Sequence, residues 1–289
     1  GRFISEFGMH AAPVLATLKR VIPDDQLYHH SPSMDHHNKD SPKNKGDNLM
    51  LGVTGLPKTL DDYIDFSMMA QAEGLKFGLE HFRRRKPHCS GTLIWQLNDC
   101  WPALSWSVMD YYGSGKASYY YVKRAFAPII ASFKRDGHAV ELWVINDSLQ
   151  PVNDTALVRV VRFEGDVLHN ERVPVNVPAN SSQLVKRWEV IEGDVDRYLS
   201  VRSEENSFAA NREFFVMPKD LQLTPQAPEV EIEQQAPNTL RVRLTADHFV
   251  YFCHLDVSHA GTAFSDNYFD IEPGGASEVL VHHAEFALR

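Results

Sequence analysis

The sequence predicts a multidomain chain in two styles, an α/β segment over about residues 1–133 followed by an all-β region. Three observations predict it. Near-continuous apolar runs at Arg2–Glu6 and Gly91–Leu97 bracket a long amphipathic stretch, the order expected of βα units. Beyond residue 134 the pattern changes to short alternating runs separated by turn residues, the signature of antiparallel sandwiches. A Pro-containing joint, Gln226-Ala227-Pro228, then favours two sandwiches there over one larger β domain.

Taken in order, Arg2–Glu6 reads as a short buried strand. A helix is expected from about Ala12 to Val21, with Pro13 in its first turn and Pro23 beyond its end. Residues 24–57 are polar and rich in His, Pro, Asn and Gly, which predicts a long loop. The clearest helix spans about 60–86. Thr59-Leu60-Asp61-Asp62 has capping-box spacing with Asp as the shorter partner. Leu60, Ile64, Met68, Leu75, Leu79 and Phe82 share a face, and Arg83, Arg84, Arg85 and Lys86 complement the dipole before Pro87. Gly91–Leu97 follows as a strand apolar on both faces, then a helix at about 117–127. Alternating strands are expected at 139–145, 156–163, 173–177 and 198–202, and again at 230–233, 239–244 and 250–255.

Composition narrows the function classes. The net charge is −9 with no long basic run, which offers nucleic acid no groove. No stretch reaches the roughly 20 apolar residues of a membrane helix. Cys89, Cys100 and Cys253 are odd in number and far apart, so neither a disulfide framework nor a paired-cysteine zinc site is indicated. The sequons at Asn146, Asn153 and Asn180 matter only where the host glycosylates, so the compartment stays open.

Reactive groups of parallel α/β barrels stand at the C-terminal ends of strands. Glu6 occupies such an end, with Gly8 allowing a sharp turn, and Trp95, Gln96, Asn98 and Asp99 occupy the equivalent place on the second strand. A carboxylate beside an indole and amides suits a sugar. The indole packs on C–H groups, and the amides and carboxylate bind hydroxyls. The structural alternatives are a capping or ion-paired Glu6, a core Trp95, and Asn98 or Asp99 capping the turn. Trp101-Pro102 reads as loop packing. His29-His30 and Met34-Asp35-His36-His37 crowd the first loop, but no helical His spacing with an acid supports a metal. The acidic turns at Glu164–Asp166 and Glu192–Asp194 are too ordinary to indicate calcium. No cofactor is expected.

Several motifs together resemble the β-mannosidases of glycoside hydrolase family 2. They are Ile4–Gly8 (ISEFG) with Pro13, Trp95–Pro102 (WQLNDCWP), Ser105-Trp106, Asp110–Gly113 (DYYG), Lys116, Lys123-Arg124 and Ser265–Gly274 (SDNYFDIEPG). The resemblance implies the C-terminal part of a (β/α)8 barrel, strands 7 and 8, over residues 1–133. Two immunoglobulin-like β-sandwiches follow, at 134–222 and 223–289. It implies Glu6 as the nucleophile of a retaining exo-β-mannosidase and Trp95 as an aromatic of the −1 subsite. Asn98, His36 and His37 are the further substrate-binding candidates. The family's acid/base Glu lies in an Asn-Glu pair on a barrel strand. The pair present here, Asn170-Glu171, falls in the sandwich zone. About 130 residues are also too few for a barrel of about 250. The expectation is therefore a chain that starts mid-barrel, inactive alone, whose partners are a β-mannosyl oligosaccharide and the missing N-terminal part, with neither nucleic acid nor membrane. The competing readings are another family 2 exo-glycosidase such as an exo-β-glucosaminidase, and a non-catalytic carbohydrate-binding sandwich using Trp143 or Trp188.

Overall fold

The computed structural model describes residues 1–191, 193–257, 261–285 and 287–288, so Glu192 of the second acidic turn lies outside the described residues. The elements are β1 (Ile4–Phe7), α1 (Leu15–Val21), α2 (Pro32–His37), α3 (Lys45–Val53), α4 (Leu60–Arg84), β2 (Thr92–Ile94) and α5 (Ala117–Ala125). Next come β3 (Ile129–Asp136), β4 (Ala139–Asn146), β5 (Val152–Arg162), β6 (Val167–Val177), β7 (Ser181–Trp188), β8 (Arg197–Ser203) and β9 (Asn211–Phe214). The last are β10 (Glu229–Ala236), β11 (Thr239–Ala246), β12 (Val250–Cys253), β13 (Ala263–Phe264), β14 (Phe269–Ile271) and β15 (Gly275–His282). The chain divides into two compact units, neither contiguous in sequence. One comprises Gly1–Phe7, Lys76–Leu93 and Val122–Thr224. The other comprises Gly8–Leu75, Ile94–Tyr121 and Pro225–Arg289.

The first unit is built on a β-sandwich. A three-stranded sheet, β3-β4-β7, faces a four-stranded sheet, β6-β5-β8-β9. Phe133, Leu142, Val144, Val158, Val160, Val175, Leu199 and Val201 fill the space between them. Alternation put these residues on one side of each strand, and the antiparallel register, such as Ala131↔Val144, keeps them there. β3 begins at Ile129, inside the segment read as barrel. Its run IIASF lacks polar alternation because both faces are covered. Ala131 and Phe133 face the sandwich core. On the other face, the Ser132 hydroxyl donates to Glu80 Oε2 (2.6 Å) on the last turns of α4. Glu80 and Arg84 are buried there, Arg84 bonding Ser132 Oγ and the Phe133 carbonyl, and Asn211 of β9 donating to Glu80 Oε1 (3.0 Å). Asn146 is buried and spends its amide on the carbonyls of Gln150, Val177 and Pro178. That sequon is therefore closed in the folded chain, whereas Asn153 and Asn180 are exposed.

β1 pairs with β2. Ser90 N donates to the Arg2 carbonyl and Ile4 N to the Gly91 carbonyl, so the partner advances in the same direction along both segments. Two expectations need correction. The second strand spans Thr92–Ile94 rather than 91–97, and neither strand is buried on both faces. Ser5 and Glu6 are exposed, and Leu93 is 56% exposed. Apolar sequence on both faces states what a strand is suited to lie between, and among the described residues Ser5, Glu6 and Leu93 lie uncovered while Phe7 packs on α4.

In the second unit, α1, α2, α3, α5 and the first turns of α4 surround Leu18, Met34, Met50, Tyr63, Met68, Leu104, Tyr120 and Tyr121. The capping box forms as spaced: Thr59 Oγ1 accepts from Asp62 N and Asp62 Oδ2 accepts from Thr59 N, both at 3.0 Å. α1 begins at Leu15 with Val14 as its N-cap, which leaves Pro13 outside the helix. The polar segment 24–57 is not a plain loop. It contains a 3-10 turn at Asp24–Gln26 and the helices α2 and α3. Ser31 caps α2 by accepting from Met34 N (3.1 Å). Met34 and Met50 are buried, so packing rather than propensity makes these short helices. A second β-layer structure closes this unit. The sheet β10-β11-β15-β13 and the pair β12-β14 enclose Val242, Leu244, Ile271, Val279 and Val281.

Candidate active site

Glu6 stands on β1, exposed, with no hydrogen bond or ion pair engaging its carboxylate among the described residues. Its neighbour Phe7 points the other way and anchors the strand end. The Phe7 ring meets Phe82 of α4 edge-on, with centroids 5.2 Å apart. Gly78 makes room for it, since a Cβ there would lie 2.7 Å from Phe7 Cε2. An anchored aromatic on one side of a strand and a free carboxylate on the other follow directly from the alternation of strand side chains.

The remaining predicted residues belong to the second unit. Trp95 follows β2 with its side chain 50% exposed, and the Trp95–Gln96 peptide is cis. Gly8 passes so close to the Trp95 carbonyl that a Cβ would fall 1.8 Å from its oxygen, which explains a glycine at this position. Backbone bonds from Gln96 N to the Trp106 carbonyl (3.1 Å), Val108 N to Gln96 (3.0 Å) and Met109 N to Leu97 (2.9 Å) hold the segment after β2. Asn98 is exposed and donates to the Asp99 carbonyl (3.2 Å). Asp99 is buried. Its Oδ1 accepts from Lys39 Nζ (2.9 Å) and Gln96 Nε2 (3.3 Å), and its Oδ2 from Ser107 Oγ (2.6 Å), with Ser105 Oγ close to both oxygens. So many donors mark a structural carboxylate, not one offered to substrate.

His36 and His37 lie at the end of α2 and gather around Trp101. The His37 ring stacks on the indole at 4.7 Å, and the His36 ring meets it edge-on at 5.8 Å. His37 Nδ1 donates to the Pro102 carbonyl (2.7 Å), which leaves Nε2 as a possible acceptor. His36 is exposed. The structure thus joins His36, His37 and Trp101 into one aromatic surface. It ties their segment to that of Trp95 and Asn98 through the Lys39–Asp99 ion pair.

Two buried titratable residues lie beneath these segments: Lys116, which the sequence offered only as part of the motif set, and His10, which it did not single out. Lys116 is fully buried, with its Nζ donating to the carbonyls of Ala11 (3.1 Å) and Ser105 (3.4 Å). Burial pushes its pKa down to about 8, against the favourable charges of Asp99 and Asp110. His10 is buried too, its Nε2 bonded to Asn38 Oδ1 (3.1 Å), and burial together with the Lys116 charge lowers its pKa to about 4. Nothing in their spacing separates them from surface residues, since burial is set by the packing of distant segments. Among the described residues, one group of three side chains has metal-ligand donors close together: His29, His30 and Asp47.

Known proteins share parts of this sequence and fold. Residues 138–220 match the family described as Mannosidase Ig/CBM-like domain, and residues 224–287 match one described as Ig-fold domain. β-Mannosidase B of Aspergillus niger is 28% identical over 313 residues, an overlap of 97% of this chain and 36% of that protein. Its counterpart in Emericella nidulans is 32% identical over 196 residues, 61% of this chain and 23% of that one. The crystal structure of β-D-mannosidase from Dictyoglomus thermophilum superposes with a TM-score of 0.90 at 29% identity, over 99% of this chain and 36% of that one. Along nearly its whole length the chain is similar to β-mannosidases, in agreement with the family 2 resemblance of its motifs. It spans about 36% of the length of these relatives. An exo-chitosanase from Amycolatopsis orientalis, with a TM-score of 0.79 and 16% identity over 96% of this chain and 39% of that one, shares the fold.

Proposed function

We propose that this chain supplies the nucleophile and part of the sugar pocket of a retaining exo-β-mannosidase that removes terminal β-D-mannosyl residues. The observation that carries the reading is the β-mannosidase relationship along 97% of the chain. On this reading residues 1–133 are the part of a (β/α)8 barrel with strands 7 and 8, and residues 134–222 and 223–289 are the two sandwiches. Glu6 attacks the anomeric carbon and the leaving oxygen takes a proton from a general acid. Water then hydrolyses the glycosyl ester with that acid acting as base. Trp95 offers its indole face to the C–H groups of the −1 sugar, and Asn98 offers an amide to a hydroxyl. His36 and His37 border the place of the leaving group.

The general acid is not among the residues of this chain. The Asn170-Glu171 pair lies on β6, where Glu171 accepts from the Trp188 indole N–H (2.8 Å) and pairs with Lys186 (3.2 Å). One carboxylate cannot perform both steps, so the chain alone is inactive. In the complete enzyme the two catalytic carboxyls lie about 5–5.5 Å apart, as retention requires. The test is labelling of the full-length enzyme with a 2-fluoro-mannosyl inactivator followed by peptide mapping. The label is expected on Glu6, and Glu6→Ala is expected to abolish turnover of an aryl β-mannoside while the circular dichroism spectrum is kept. Label on another residue, or turnover by the purified 289-residue chain, refutes the reading.

A further inference from the structure

His29 and His30 sit between the 3-10 turn at Asp24–Gln26 and α2, while Asp47 lies in the first turn of α3. The fold brings them together across 17 residues of chain. His29 Nε2 is 3.1 Å from Asp47 Oδ1, and His30 Nε2 is 2.8 Å from Asp47 Oδ2. The other nitrogen of His30, Nδ1, is 3.0 Å from Asp35 Oδ1. The three donors of His29, His30 and Asp47 lie within 4.8 Å of one another. Packing fixes the histidines: the His29 ring stacks on that of buried Tyr63 at 3.9 Å, and the His30 ring on that of His29 at 4.0 Å.

Charge and proton counting show what this arrangement demands. A carboxylate oxygen faces each nitrogen of His30. A neutral imidazole donates from one nitrogen only, which would leave the other lone pair against an anion. The geometry therefore requires a positive charge at His30, either a second proton or a metal ion. With Nδ1–H donating to Asp35, the Nε2 lone pair is free, and Asp35 takes the place of the carboxylate that orients a metal-bound histidine. Two ligands on one tetrahedral Zn²⁺ with bonds of about 2.0–2.1 Å lie about 3.4 Å apart. The two Nε2-to-carboxylate separations, each to a different Asp47 oxygen, are slightly shorter than this and the three donors lie within 4.8 Å, so a side-chain adjustment brings one Asp47 oxygen and both nitrogens onto a single ion. Asp47 and His29 are only about one-fifth exposed and His30 about one-third, which leaves a side of the site open to a water ligand.

We propose that His29, His30 and Asp47, with Asp35 orienting His30, form a site for a divalent metal of the zinc class that staples the His29–His30 turn to the start of α3. Two imidazoles and one carboxylate suit Zn²⁺ and disfavour Ca²⁺ and Mg²⁺, which take oxygen ligands. Because the metal takes the place of a proton at Nε2, acid competes with it. The proposal is independent of the catalytic reading.

The experiment is isothermal titration of ZnCl₂ into the tag-free chain, with CaCl₂ as comparison and the thermal midpoint as a second readout. One saturable Zn²⁺ site is expected at pH 7.5, with a raised midpoint, no response to Ca²⁺, and weaker binding at pH 5.5. Asp47→Asn and His30→Gln are each expected to weaken binding at least about tenfold. The His36→Gln/His37→Gln double variant is expected to bind Zn²⁺ as the parent does. Far-UV circular dichroism of each variant separates loss of a ligand from loss of fold, and Co²⁺ absorption in the parent reports nitrogen and oxygen coordination directly. Absence of saturable binding below about 1 mM overturns the proposal. So does binding that survives Asp47→Asn and His30→Gln, or that depends on His36 and His37 instead.

Discussion

His10 makes a sharp prediction about acid stability. Its ring is 5% exposed, its Nε2 bonds Asn38 Oδ1, and its Nδ1 has no hydrogen-bond partner among the described residues. Asp40 Oδ2 is 3.8 Å away, too far to accept, and burial raises the pKa of that carboxyl. The imidazole is therefore folded in as the neutral form, with its pKa lowered from 6.5 to about 4 by burial and by Lys116. In the unfolded chain it titrates near its ordinary value. Between the two pKa values the unfolded state binds the extra proton, so stability is full above about pH 6.5 and is lost as pH falls toward 4. At about 1.4 kcal/mol per pH unit the loss reaches about 3 kcal/mol. His10→Gln keeps an amide donor for Asn38 and removes the titration. Urea unfolding of parent and variant from pH 8 to 4, followed by tryptophan fluorescence, compares the two. The difference in unfolding free energy should change by about 3 kcal/mol over that span, the parent losing more. Parallel profiles would refute the claim that His10 is buried as a neutral base.

Three further outcomes follow from the same neighbourhood. Asp99→Asn removes the charge that Lys39, Ser105 and Ser107 converge on and should cost about 3 kcal/mol in urea unfolding, as for breaking a buried ion pair. Lys116, held at a pKa of about 8 instead of 10.5, binds fewer protons folded than unfolded between those values. The parent should therefore gain stability from pH 8 to 10.5 relative to Lys116→Met, which lacks the titrating amine. Thr59→Ala removes the hydroxyl that caps α4 and should lower stability by about 1 kcal/mol, measured as a shift in the thermal or urea midpoint.

The sequence displayed most of what is decided locally. The capping box at Thr59, the stop after Arg84 and the alternating strands of both sandwiches all depend on neighbours within a few residues, and they form close to where the pattern placed them. The segment 24–57 misled because its helices are short and polar, and only the burial of Met34 and Met50 by distant residues makes them helical. Gly91–Leu97 misled for the opposite reason. Its apolar residues suit a covered strand, yet Leu93, Trp95 and Leu97 are exposed among the described residues. The sequence motifs single out Glu6, Trp95, Asn98, His36 and His37 as candidates. The burial of His10 and Lys116 and the meeting of His29 and His30 with Asp47 were not legible, because each depends on partners at separations no local pattern encodes.

Asp99 shows how a residue adjacent to candidate substrate contacts can govern them without touching substrate. Lys39 follows the His36-His37 pair by two residues, and Gln96 follows Trp95 directly. Both donate to the same Asp99 oxygen. The segment carrying the Trp101 aromatic surface and the segment carrying Trp95 and Asn98 are thus held by one buried carboxylate, with Ser105 and Ser107 completing its shell. Neither segment can shift without leaving a buried charge short of donors, which costs more than a surface contact. Buried Lys116, bonded to the Ala11 and Ser105 carbonyls, balances Asp99 and Asp110 and carries the constraint back to the residues after Gly8. The motif residues around Trp95 therefore divide by physical role. Trp95 and Asn98 are exposed and available to a ligand, whereas Asp99, Ser105, Ser107 and Lys116 are buried and set where those side chains stand.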